Sequence, residues 1–161
     1  MTEIFDLLSF DIKQLEQIKT GLENGVDVNM YLKTKFEAEQ MREIRIGLEK
    51  GLDVSVYVKP EFDGWQMEQI RLGIENNVDV SVYAKLDFNG GQMEEVRLGL
   101  EQGVDISVYA KPEFTACQME QIRLGLEEGL DVSAYANPEL DDEQMREKRL
   151  DIERILRVTK T

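Results

Sequence analysis

The amino-acid sequence repeats every 26 residues, and this period constrains the fold more than any other feature of the chain. The copies are in phase when each begins at an aromatic residue, at Phe5, Tyr31, Tyr57, Tyr83, Tyr109 and Tyr135. Repeats of roughly 20 to 50 residues are typical of units that bury their apolar faces only by stacking on neighbours. We therefore predict a single domain over residues 1–161, built from six stacked repeats, with the last repeat as a C-terminal cap.

Each repeat contains the signature of a helix N-terminus, six residues after its aromatic residue. In the third copy Asp63 and Gln66 form the capping-box pattern, in which each side chain accepts from the other residue's backbone. Phe62 and Met67 flank this box as a hydrophobic staple. A ladder of ligand-binding amides is the alternative interpretation of the invariant glutamine, found at Gln14, Gln40, Gln66, Gln92, Gln118 and Gln144.

One long helix and one short helix are predicted in each repeat. The long helix should span about three and a half turns and end at a residue that tolerates left-handed backbone angles. Such residues stand at Gly25, Gly51, Asn77, Gly103 and Gly129. Asp53 should cap a second helix of roughly two turns that closes before Pro60, although the β-branched run between them also permits a strand. The predicted fold is an all-α solenoid of six 26-residue units.

Two further sets of recurring residues are explained by packing. In the fifth copy Met119, Ile122, Leu126 and Leu130 fall in one narrow sector of the helical wheel, which predicts the buried face. A glycine recurs inside the helices, where it costs on the order of 1 kcal/mol relative to alanine. We expect the neighbouring repeat to approach closely at this position, which holds Gly21, Gly47, Gly73, Gly99 and Gly125.

A basic residue precedes a glutamate by four positions in every repeat. Such pairs stabilise a helix only slightly, and their recurrence predicts ladders of charge between adjacent repeats. A phosphate-binding row of arginines is the alternative, but the paired glutamates compete with any anion. The pairs are Lys19–Glu23, Arg45–Glu49, Arg71–Glu75, Arg97–Glu101, Arg123–Glu127 and Arg149–Glu153.

The candidate partner-binding residues are apolar and lie opposite the predicted core. One residue per helix forms an outer stripe, at Ile46, Leu72, Leu98, Leu124 and Leu150. The stripe is either covered by neighbouring elements or exposed as an interaction surface. Trp65 lies on the same side and is the strongest candidate, because large aromatic residues dominate binding at interfaces. Cys117 shares its position in the repeat, and we expect it to pack as a small apolar residue.

The composition limits the classes of function. The formal net charge of −14 disfavours direct binding to nucleic acid or to an acidic membrane. The chain has no histidine, and it lacks the motifs that hold phosphate, dinucleotides or zinc. We therefore expect no enzymatic activity, no catalytic residues, no cofactor and no metal site. The single cysteine and the absence of a signal peptide favour a cytoplasmic location.

The repeat resembles an uncharacterised family of 26-residue tandem helical repeats. The shared pattern is FxxxQMxxIRLGLExGLDVSVYAxPEF, and it covers the chain from Phe5 to about residue 160. The family is associated with Gram-positive gut bacteria and with their phages or conjugative elements. The resemblance implies a helical repeat protein in a mobile-element setting, and it implies no particular activity.

Two functions are compatible with these features. The first is a non-enzymatic scaffold that docks another protein with a basic or apolar surface. The second is an acidic inhibitor that mimics nucleic acid and occupies the basic groove of a defence nuclease or a similar enzyme. The sequence leaves the oligomeric state open.

Overall fold

The computed structural model describes residues 7–33 and 35–159, and within these ranges the regular structure is entirely helical. The six α-helices are α1 (Ile12–Glu23), α2 (Ala38–Glu49), α3 (Gly64–Glu75), α4 (Gly90–Gln102), α5 (Ala116–Glu127) and α6 (Asp142–Thr159). Turns of 3₁₀ helix, three residues each, lie at Leu7–Ser9, Val28–Met30, Val54–Val56, Val80–Val82, Ile106–Val108 and Val132–Ala134. The prediction of an all-α fold is confirmed. Phe5, the predicted start of the first repeat, lies outside the described residues.

The chain divides into two compact units, Met1–Asn77 and Val78–Thr161. In the first unit α1 packs on α2 and α2 packs on α3. In the second unit α4 packs on α5 and α5 packs on α6. Within each unit, helices that follow one another in the sequence are therefore neighbours in space. The single domain over residues 1–161 stays a prediction.

The capping box forms as the sequence predicts. Asp63 accepts from the backbone nitrogen of Gln66 at 2.8 Å, and Gln66 Oε1 accepts from the backbone nitrogen of Asp63 at 2.8 Å. The same reciprocal bonds join Asp11 to Gln14, Asn89 to Gln92, Thr115 to Gln118 and Asp141 to Gln144. These bonds satisfy backbone amides that the first helical turn leaves without partners.

The capping glutamine also links its repeat to the next one. Gln40 Nε2 donates to the backbone oxygen of Phe62 at 2.5 Å and to that of Pro60 at 3.1 Å. Equivalent bonds run from Gln14 to Phe36, from Gln92 to Phe114 and from Gln118 to Leu140. Both ends of these four side-chain amides are therefore used within the fold, which explains the glutamines without a ligand.

The long helices end where predicted, and a short helix follows each of α1 to α5, but its predicted length of roughly two turns is wrong. Left-handed backbone angles occur at Gly25, Gly51, Asn77, Gly103 and Gly129. Asp53 then accepts from the backbone nitrogen of Ser55, two residues on, and a single 3₁₀ turn follows instead of two α-helical turns. The turn stops at Val56 because Tyr57 leaves the helical region, with φ of −122°. The chain therefore turns away three residues before Pro60.

The core of each compact unit is built from one tyrosine, one methionine and one aliphatic residue per repeat. Tyr57, Met67 and Ile70 are fully buried, and so are their counterparts Tyr109, Met119 and Ile122 in the second unit. The Tyr57 hydroxyl donates to the backbone oxygen of Glu43 and lies 2.0 Å from where a Cβ on Gly47 would stand. The prediction that the helix glycine admits the next repeat is confirmed.

Helix α6 exposes both charged residues and the apolar Ile155, Leu156 and Val158. It runs to Thr159, close to the predicted end at Val158. Lys148 occupies the position that is aliphatic in the other repeats, and both Lys148 and Asp151 are exposed. Met145 is the one buried residue of this helix. The role of the last repeat as a C-terminal cap stays a prediction.

Candidate protein-binding surface

Trp65 is the most exposed of the sequence-predicted site residues. It is the second residue of α3, directly after the capped helix start at Asp63, and its residue surface is 52% exposed. Helices α2 and α3 approach closely beside it, since a Cβ on Gly64 would lie 2.8 Å from Cβ of Glu39. The indole is thus held by a well-fixed backbone while half of its surface meets solvent.

The outer stripe is half-buried rather than fully exposed. The structure places Ile46 and Leu72 on the neighbouring helices α2 and α3 of the first unit, and Leu98, Leu124 and Leu150 on α4, α5 and α6 of the second. All five residues have intermediate exposure. Leu72 follows Trp65 by seven residues on α3, which places both on the same helix face. The apolar surface on α3 is therefore Trp65 with the partly covered Leu72.

Cys117 is exposed, which corrects the expectation that it packs as a small apolar residue. It is the second residue of α5, as Trp65 is of α3. The side chain at this repeat position faces outward at both places. The physical reason is the direction of the side chains in the first turn of α5. Met119, two residues after Cys117, points into the core and is fully buried, so Cys117 lies on the opposite side of the helix.

The arginines of the repeat are held inside the protein by carboxylates. Arg71 is buried, and its Nε lies 2.7 Å from Glu43 Oε2 on α2 while its Nη1 lies 3.1 Å from Glu75 Oε2. The second unit has the same arrangement at Arg123, Glu95 and Glu127. The predicted charge ladder is therefore confirmed within each unit. Guanidinium groups paired on two sides are poorly placed to bind phosphate.

The predicted pair Arg149–Glu153 does not form. Arg149 Nη1 lies 3.4 Å from Glu128 instead, and Glu153 pairs with Arg157. The reason lies in the length of α6, which continues past Glu153 and brings Arg157 one helical turn away from it.

Exposed aspartates at the 3₁₀ turns add to the acidic surface. Hydrogen bonds from the hydroxyl and backbone of the serine two residues later lower the pKa of the aspartate below its ordinary value at Asp53, Asp105 and Asp131. These carboxylates consequently stay charged well into the acidic range.

An apolar groove on α1 was not predicted from the sequence. It has a volume of about 490 Å³, and Leu7, Ile12, Leu15, Ile18 and Leu22 supply its apolar lining. A signal was present at Ile12, because the equivalent residues in the next five repeats are Ala38, Gly64, Gly90, Ala116 and Asp142. Helix α1 therefore differs from the other helices in having a large apolar residue at this position.

The described part of the chain contains no cluster of three or more histidine, cysteine, aspartate or glutamate residues suited to a metal ion. Between residues 7 and 159, apart from residue 34, no helix is both long and apolar enough to cross a membrane. Three comparisons with known proteins returned no matching family model, no matching curated protein and no matching solved structure.

Proposed function

We propose that this chain is a non-enzymatic scaffold that docks another protein through Trp65 and the outer stripe. The proposal includes the solenoid arrangement of the repeats. The carrying observation is that Trp65 is half-exposed at the start of a rigid, capped helix. Exposed aromatic residues on a preorganised backbone are the usual anchors of protein interfaces.

The residues that recur in every repeat support this proposal, because the fold itself accounts for their contacts. Glutamines cap helices and cross to the next repeat, tyrosines fill the core, and arginines bond carboxylates. A binding surface must therefore come from residues that folding leaves partly uncovered. Trp65 and the stripe meet this condition.

The partner we propose is a protein with an apolar docking surface surrounded by basic residues. The apolar part would receive Trp65, and the basic part would meet the net charge of −14. We further propose, from the resemblance described above, that the chain is encoded by a phage or conjugative element and engages a host protein in the cytoplasm.

A second candidate function is an acidic inhibitor that mimics nucleic acid. The observation in its favour is that Arg71 and Arg97 are buried, so the positive charge of the repeat does not reach solvent there. The aspartates of the 3₁₀ turns remain exposed and charged. Binding to a basic cleft would then be fast and strongly dependent on salt.

Affinity capture with matched variants separates the two functions. Trp65→Ala should release a scaffold partner that otherwise remains bound at high salt, because an apolar contact is not screened. Leu86→Ala is the control, since Leu86 is 60% exposed but lies outside the α-helices and the stripe. A partner that elutes at moderate salt and binds the Trp65→Ala variant normally contradicts the scaffold and supports the mimic. Equal loss in both variants contradicts the assignment of the surface.

A further inference from the structure

Helix α1 exposes apolar side chains on a face that the later helices use for packing. Ile12 is 77% exposed, Leu22 is 61% exposed, and Leu7 beside them is 52% exposed. Together with Leu15 and Ile18 they line the groove of about 490 Å³. The described chain has no α-helix before α1 to cover them.

The corresponding face of α3 packs against the preceding helix, α2. Gly64 lies against Glu39 of α2, and Arg71 reaches back to Glu43 of α2. The residues of α1 at these two repeat positions are Ile12 and Lys19. Because a Cβ at Gly64 would already meet Glu39 at 2.8 Å, an isoleucine there prevents an equally close approach of a helix of the ordinary kind. The face of α1 is therefore suited to a different partner.

The spacing of four residues on this face of α1 fits a pair of antiparallel helices. Residues 12, 15, 19 and 22 are separated by three, four and three positions, which is the seam spacing of a coiled coil. We propose that α1 binds α1 of a second copy of this chain about a twofold axis. Ile12 then meets Leu22 of the second copy, and Leu15 meets the stem of its Lys19.

In this arrangement opposite charges on the two copies of α1 lie beside each other. An antiparallel pairing that opposes residues 12 and 22 also places Lys19 of one copy beside Glu16 of the other, and the twofold axis makes this contact twice. Lys19 is largely exposed and has only a loose partner in its own helix, Glu23 at 3.8 Å. A single polar residue in an apolar seam fixes the register and the orientation of the helices.

A head-to-head pair is favoured over a head-to-tail chain of molecules. Head-to-tail association would bring α1 onto the outer face of α6, where Lys148, Asp151 and Arg154 are exposed. Ile155 is also exposed on α6, but the charged residues beside it make this face a poorer cover for Ile12 and Leu22 than a second copy of α1. One helix per copy makes a small interface, so we expect a dissociation constant on the order of micromolar.

Sedimentation of the full chain over a range of concentrations tests the dimer. We expect a monomer–dimer equilibrium that Ile12→Glu weakens by at least about tenfold, because the new carboxylate enters an apolar seam. Ile155→Glu on α6 is the matched control, since Ile155 is 62% exposed, and it should leave the equilibrium unchanged. A single-chain mass at every concentration overturns the proposal. Larger assemblies, or a loss of association with Ile155→Glu alone, also overturn it.

Charge reversal tests the antiparallel register. Lys19→Glu should weaken association about tenfold, because it sets two acids against each other at both symmetric contacts. The double variant Glu16→Lys/Lys19→Glu should restore most of the lost affinity. Circular dichroism of each variant checks that α1 still folds. If the double variant associates no better than Lys19→Glu, the register is wrong and the proposed pairing falls.

Discussion

The hydroxyl oxygen of Tyr31 lies 1.9 Å from the point that a Cβ on Gly21 would occupy. Tyr31 is fully buried, and its hydroxyl donates to the backbone oxygen of Gln17 in α1 at 3.1 Å. Burial raises the pKa of Tyr31 to about 12, so the phenol remains a hydrogen-bond donor even at a pH where an ordinary tyrosine ionises. The Tyr31 hydroxyl can therefore occupy this site only because residue 21 is a glycine.

We predict that Gly21→Ala lowers the free energy of unfolding by about 2 to 3 kcal/mol, despite the higher helix propensity of alanine. The new methyl group would overlap the Tyr31 hydroxyl. Removing that oxygen leaves Val28 Cγ1 at 3.1 Å and Tyr31 Cζ at 3.2 Å from the methyl, which small shifts can accommodate. Urea denaturation of Gly21→Ala, Tyr31→Phe and the double variant should show a double variant clearly more stable than the sum of the two losses. Additive losses would contradict the coupling.

The glutamine that links repeats gives a second prediction. Gln40→Glu keeps the acceptor that caps α2 but replaces the amide donor to Phe62 with an oxygen that repels the backbone carbonyl. We expect a loss of about 2 kcal/mol at pH 7, since a buried acceptor loses its donor beside a new charge. Gln144→Glu is the control, because Gln144 is exposed and its capping bond to Asp141 needs only an acceptor. It should change stability by less than about 0.5 kcal/mol, and equal losses would show that capping alone matters.

Local backbone features were predictable from the sequence because their causes are local. Asp63 and Gln66 bond to each other across three residues, and Asn77 determines its own backbone angles. The sequence of one repeat is therefore enough to predict both features. The 3₁₀ turn was not predicted, since Asp53 can either cap an α-helix or bind the amide two residues on. The position of Tyr57, which decides between them, is set by burial against α2.

Contacts between helices were less predictable, because they depend on how far apart neighbouring helices lie and on where their side chains point. Glutamine and glutamate alternate along the chain two places before the basic residue, which is Lys19 in the first repeat and an arginine in the others. They are Gln17, Glu43, Gln69, Glu95, Gln121 and Glu147. In the structure Glu43 receives Arg71 and Glu95 receives Arg123, both from the following repeat. The sequence indicated a ladder but not this partner. The candidate surface was predicted at Trp65, while the exposure of Cys117 required the three-dimensional structure.

Asn77 provides a third prediction, which isolates backbone strain. It has φ of 61°, whereas the equivalent residue in four other repeats is a glycine with φ between 68° and 73°. We expect Asn77→Gly to stabilise the protein by up to about 1 kcal/mol, because glycine adopts this conformation without strain. Gly51→Ala should cost about 1 to 2 kcal/mol although its Cβ would meet nothing within 4 Å. Thermal unfolding measures both changes, and a harmless Gly51→Ala would contradict the conformational explanation.

Glu95 provides a prediction for pH. Burial raises the pKa of its carboxyl above the ordinary value of 4.5, even though Arg123 Nε donates to it at 2.7 Å. An acid whose pKa is raised by folding binds its proton more tightly in the folded state. Its contribution to stability therefore falls as pH rises from about 4.5 through the raised pKa. A glutamine cannot titrate, so Glu95→Gln should remove this dependence.

We expect Glu95→Gln to lie within about 1 kcal/mol of the natural protein at pH 7, since Arg123 keeps Glu127 at 2.6 Å. A glutamine already accepts from an arginine at the same place in the next repeat, where Gln121 of α5 meets Arg149 of α6. Relative to the natural protein, the variant should gain stability between about pH 4 and pH 7, because only the natural protein loses the Glu95 contribution. Urea unfolding across this range measures the difference. A loss of about 3 kcal/mol or more at pH 7 would show instead that the charge on Glu95 holds α4 and α5 together and outweighs its burial.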